Sequence, residues 1–140
     1  MNARVLIAAF AGAIAYFLLG WLVYGILTPD FYAAHSLTQY YIGLEKTPPN
    51  FLGIFVAGFA YTLMMAIIFG NWANIDTVKN GAIAGVTISL LFTLSVDLGM
   101  WATMNLYGRW IVVVDVLANA AMGAVIGAVV ALVLGYKKSE

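Results

Sequence analysis

The sequence predicts an all-α integral membrane protein: a four-helix bundle with a short interfacial helix in its first extracytoplasmic loop. Three observations predict it. The chain of 140 residues is 64% hydrophobic and only 9% charged. Soluble domains carry roughly 45–50% apolar and about 25% charged residues. The apolar residues fall into four long runs. Each run is long enough to cross a hydrocarbon core about 30 Å thick at about 1.5 Å per residue.

The first run, Val5 to Leu27, contains no charge. Its length exceeds the roughly 7–15 residues of a signal-peptide apolar region, so it reads as an uncleaved span. The Thr28–Asn50 connection is the longest. Thr28-Pro29-Asp30 reads as an N-cap, a proline at the first helical position and an acid in the first turn. Gly43 is the expected stop. Phe31, Tyr32, Tyr40, Tyr41 and Ile42 make this helix aromatic and amphiphilic, suited to the membrane surface. Pro48-Pro49-Asn50 then caps the second run, Phe51 to Trp72. The third, Gly81 to Met104, holds one charge, Asp97, and the fourth, Trp110 to Gly135, holds Asp115. A single transmembrane domain over residues 1–140 accounts for the whole chain.

Lys and Arg in short flanks predict the orientation. Arg4, Lys79, Lys137 and Lys138 lie on one side, and Lys46 and Arg109 on the other. Four against two places both termini in the cytoplasm. Six basic residues balance six acidic ones, so no basic face suggests nucleic acid. Without Cys, disulfides, Cys-ligated clusters and thiol catalysis are excluded. His35 is the only histidine and a poor metal signal by itself. No phosphate loop, Ser-His-Asp set or zinc motif is present. No cofactor or metal is expected.

The most informative pattern is a stripe of small and polar residues at every fourth position, which places them on one helix face. In the third run it reads Gly81, Gly85, Ser89, Thr93, Asp97, Trp101; in the fourth, Asp115, Asn119, Gly123, Gly127, Ala131. Asp97 lies roughly 10 Å below the outer end of its run, and Asp115 roughly 9 Å below the same end. The hairpin should therefore pair closely through glycines in its cytoplasmic half. Its outer half should widen around Asp97, Asp115, Asn119 and Thr93. Intramembrane carboxylates are functional candidates by default. Two close carboxylates rarely both stay ionised, a state suited to proton relay or cation binding. The plainer alternative is that Arg109, in the loop above, pairs with them and pins the loop.

Gly12, Tyr16, Gly20 and Tyr24 form a similar stripe in the first run, and Trp21 sits at about the depth of the acids. Trp21, Tyr24 and Trp101 are thus candidate flanking aromatics. Trp21, Trp72, Trp101 and Trp110 also lie near run ends, as an aromatic belt would.

Three stretches carry a family resemblance: Gly20-Trp21-Leu22-Val23-Tyr24-Gly25-Ile26-Leu27, Leu106-Tyr107-Gly108-Arg109 followed by Asp115, and Met122-Gly123-Ala124-Val125-Ile126-Gly127. With them the chain resembles a family of small bacterial four-span integral membrane proteins of unknown function. The resemblance implies the four-span fold and a bacterial inner membrane, with Arg109 and Asp115 as family-like residues. It implies no mechanism.

Three functions are compatible with these features. The first is a structural or accessory component of a membrane assembly, whose partners are the bilayer and other membrane subunits or further copies of the chain. The second is a small transporter or proton/cation-binding protein using the paired carboxylates. The third, a membrane enzyme with the acids as general acid and base, lacks any accompanying nucleophile or cofactor motif.

Overall fold

The computed structural model describes residues 2–37 and 43–136. Helix α1 (Ala3–Gly20) continues into π-helical turns over Trp21–Leu27, and α2 (Pro29–His35) follows at once. Helix α3 (Phe51–Ile67) also ends in π-helical turns, Ile68–Ala73. Helices α4 (Val78–Thr103) and α5 (Arg109–Gly135) complete the chain. The four long helices are long and apolar enough to cross a membrane, and the chain is a multi-pass membrane protein. Their bounds agree with the expected spans to within a turn.

Three of the four long helices start where a side chain satisfies one of the first free N–H groups. The Asn2 side chain accepts from the Arg4 N–H, and Asn50 accepts from the Gly53 N–H at 2.9 Å. The Thr77 hydroxyl accepts from the Asn80 N–H at 3.3 Å. Helix α5 has no side-chain cap and begins after Gly108.

Helix α5 is the centre of the bundle. It packs against α1, α3 and α4, whereas α4 packs almost wholly on α5. The apolar window of α5 is accordingly 44% buried and that of α4 only 17%. The core gathers at the end that carries both termini, around Val5, Phe69, Ile126, Val130 and Leu134. We call this the terminus end, and the opposite end, with the α4–α5 loop and α2, the acidic end.

The α4–α5 seam is closest toward the terminus end. A Cβ on Gly85 would collide with the Gly123 carbonyl, and one on Gly127 with the Gly81 carbonyl. The two backbones touch there, as the small-residue stripe predicts.

The first connection differs from expectation. Pro29 and Asp30 do open a helix, but it stops at His35 rather than near Gly43. The α4–α5 loop stops it by taking its backbone groups. Ser36 bridges antiparallel to Tyr107, the Leu37 N–H donates to Leu106 O at 3.0 Å, and the Gly108 N–H donates to His35 O at 3.2 Å. Helix α2 is thereby tied down over the acidic end of the bundle. Thr28 stands at the N-cap position, but its hydroxyl donates back to Val23 O at 2.8 Å instead of capping. Gly43 does take a left-handed φ of 82°, beyond the helix. Tyr40, Tyr41 and Ile42 lie outside the described residues.

Candidate functional site

The stripe on α5 puts Asp115 and Asn119 one turn apart on a single face. The Asn119 amide nitrogen approaches the Asp115 backbone oxygen at 3.0 Å and its Oδ2 at 3.2 Å. It also donates to the Tyr24 hydroxyl at 2.8 Å. Tyr24 in turn donates to Asp115 Oδ1 at 2.6 Å. A second phenol, Tyr32, donates to the same oxygen at 2.7 Å. The two phenol distances are those of close O–H···O hydrogen bonds.

Local structure positions each donor. Tyr24 lies in the π-helical turns, whose wider winding changes the register of side chains at the end of α1. The turns close with the Thr28 N–H donating to Val23 O at 2.9 Å, five residues back. Tyr32 reaches Asp115 because α2 is folded over the bundle. The two rings meet edge to face, 5.5 Å apart.

Asp97, on α4, faces the same space. Its Oδ2 is buried, and among the described residues no group donates a hydrogen bond to it. The two acids line a cavity of about 460 Å³. Tyr32 of α2, Ser36 just beyond it, Glu45 and Tyr107 also line it, and among the described residues no Lys or Arg does. Three carboxylates therefore share one cavity with the phenols of Tyr24, Tyr32 and Tyr107 and the hydroxyl of Ser36. Burial, then the hydrogen bond to Asp115 and its charge, push the Tyr32 phenol well above its ordinary value of 10.0. Burial, followed by the charges of Asp115, Asp97 and Glu45, raises the Tyr107 phenol. Both rings outside the spans thus stay protonated and remain donors.

Among the expected site residues, Asp97, Asp115, Asn119 and Tyr24 come together. Thr93 is buried one turn farther along α4, toward the glycines. Arg109 does not join them. Its guanidinium lies 5.7 Å from the centre of the Trp110 ring on the exposed surface. Trp21 and Trp101 are exposed to the extent of 61% and 50% and do not line the cavity. Their positions are those of a membrane belt.

Sequence reasoning missed Tyr32, Tyr107 and Glu45 as members of the site. One signal for the tyrosines existed. Two intramembrane carboxylates need donors, the chain has only one Arg near them, and aromatic hydroxyls crowd the same end.

Below the acids the polar stripe continues through a 2.6 Å hydrogen bond between Tyr61 and Ser89, then ends at the glycines. The residues that line the cavity all lie at the acidic end, and the Gly85–Gly123 contact closes the seam in the other half. Among the described residues no cluster of three or more His, Asp or Glu side chains could hold a metal ion. Comparison with known proteins adds no relative: no family model, no curated protein and no solved structure matches this chain.

Proposed function

We propose that this protein binds a cation in the cavity between α2, α4 and α5, as a small cation-binding membrane protein or transporter. One observation carries the reading. Among the described residues Asp115 is held by neutral donors, no group donates to the buried Oδ2 of Asp97, and no basic side chain lines the cavity. A buried carboxylate without positive charge nearby is costly, and a bound cation offsets that cost. The volume suits a small organic cation, and the tyrosine rings can face it by cation–π attraction.

Asp97→Asn and Asp115→Asn test this by calorimetric titration of the nanodisc-embedded protein with tetramethylammonium. The asparagine side chain keeps the shape and an acceptor for the tyrosines. Each change should weaken binding at least about tenfold, since it removes one partner of a buried charge pair. Unchanged affinity in both variants sinks the reading.

The positive-residue asymmetry supports an orientation with both termini in the cytoplasm and the cavity on the outer side. The resemblance to small bacterial four-span proteins supports a bacterial inner membrane. A C-terminal reporter active only outside the cytoplasm would reverse this orientation.

A second reading, as a structural or accessory subunit, is favoured by α4. Its window is the least buried of the four, and Leu91, Phe92 and Val96 are exposed. A lone monomer without companions after mild-detergent purification would count against it.

A further inference from the structure

A second cavity adjoins the first. It is a groove of about 390 Å³ between the end of α1 and the start of α3, walled by Tyr16, Phe17, Trp21, Tyr24, Phe51 and Ile54. Met122 of α5 also lines it. Its surface is almost wholly apolar, whereas the first cavity carries three carboxylates. Tyr24 is the wall common to both: its hydroxyl bonds Asp115, and its ring lines the groove. Asp115 and Met122 lie two turns apart on one face of α5, the first lining the acidic cavity and the second the groove. Gly20 also lines the groove, and a Cβ there would meet nothing within 4 Å, so a larger side chain at this position would project into open space.

We infer that cavity and groove form one site for a cationic amphiphile, with its ammonium head among the carboxylates and a single alkyl chain in the groove. The inference rests on the cation-binding reading and names its ligand class. Charge decides the head. A phospholipid would bring its phosphate against Asp97, Asp115 and Glu45, where no Lys or Arg stands to receive it. An amine or quaternary ammonium without phosphate meets only complementary charge and aromatic faces. Groove size decides the chain, with room for one and not for the two tails of an ordinary lipid.

The test uses the nanodisc-embedded protein with Trp72, Trp101 and Trp110 replaced by Phe, leaving Trp21 as the only emitter. All three replaced rings are exposed. The probe is a dodecyltrimethylammonium bearing bromine on its chain, which quenches indole at contact. The inference requires saturable quenching of Trp21 that excess tetramethylammonium reverses and Asp115→Asn abolishes. Gly20→Leu, filling the groove but not the acidic cavity, should weaken the probe about tenfold or more, as steric loss of a methylene-sized space does. It should leave the calorimetric affinity for tetramethylammonium in place. Quenching that rises linearly without saturation, or that tetramethylammonium cannot displace, overturns the inference. If tetramethylammonium itself still binds in an Asp115-dependent way, the cation-binding reading survives that failure. If it does not bind, both readings fall. Equal quenching by an uncharged brominated dodecanol would show a lipid groove with no head site and would also overturn the joint site.

Discussion

The two halves of the α4–α5 hairpin use the same four-residue spacing to opposite ends. Toward the terminus end the stripe is glycine, and the helices touch backbone to backbone at Gly85 and Gly123. Toward the acidic end it carries Asp97 and Asp115, and the helices part around a cavity. Small residues in a membrane seam give close packing, because lipid offers helices no hydrophobic reason to associate. Charged residues in the same register require company, and here it comes from outside the hairpin: Tyr24 from α1 and Tyr32 from α2. One half fastens the pair, and the other half holds a site.

The largest effect should come from the fastened half. Gly85→Leu must push a side chain into the Gly123 carbonyl. Overpacking of this kind costs about 3 kcal/mol or more where backbone cannot yield. A fall in the midpoint of thermal or SDS unfolding measures it. The matching change at Gly20, where a Cβ meets only open space, should leave that midpoint near the parent value. Equal losses at the two glycines would erase the distinction between seam and surface.

At the acidic end, Asp115→Asn should separate binding from stability. The amide oxygen can still accept from Tyr24 and Tyr32, so the unfolding midpoint should move by no more than about 1 kcal/mol. Cation affinity should drop far more, as argued above. A variant that instead unfolds would make Asp115 a structural brace, and the comparison between halves would lose its meaning.

Next in size is Tyr32→Phe. It removes one of two phenol donors to Asp115 Oδ1 and one tether of α2. A hydrogen bond to a charged group is worth about 1.5–3 kcal/mol, less where other donors remain. Amide exchange should quicken in α2 while the seam stays protected. Alkaline titration tests the same contacts. Folding raises the Tyr32 and Tyr107 phenols above their ordinary value of 10.0. The stability they carry is fully present below about pH 10 and is lost as pH rises through the raised values. Loosening of α2 should therefore begin above pH 10, with no step between pH 7 and pH 9 from these two rings.

The smallest effect should belong to Arg109→Gln. The side chain is exposed beside Trp110, and surface changes of that kind stay within about 0.5 kcal/mol. A large loss of stability or of cation affinity would restore Arg109 as the partner of the acids.

This last contrast shows how far the sequence could be read. The four spans were legible because membrane thickness turns apolar run length into a structural constraint. The seam was legible because it needs only spacing along two adjacent helices. Asp97, Asp115 and Asn119 were legible for the same reason. Of their partners, Tyr24 was already a candidate from its stripe, but Tyr32 was not. Tyr32 lies 83 residues from Asp115 along the chain, and it arrives only because the α4–α5 loop stops α2 at Ser36 and ties it down. Arg109, six residues from Asp115, looked the nearer partner, yet its helix position points it to the surface. Proximity along the chain was a poor guide to charge pairing where a folded-over helix could supply neutral donors.

The central claim is that the acidic cavity receives a cation. Saturation-transfer NMR from the methyl protons of tetramethylammonium to the aromatic protons of the protein tests it most directly. The account predicts transfer to the rings of Tyr24, Tyr32 and Tyr107, lost in Asp115→Asn. Transfer confined to the exposed Trp110 ring, or none at any tyrosine, would contradict it.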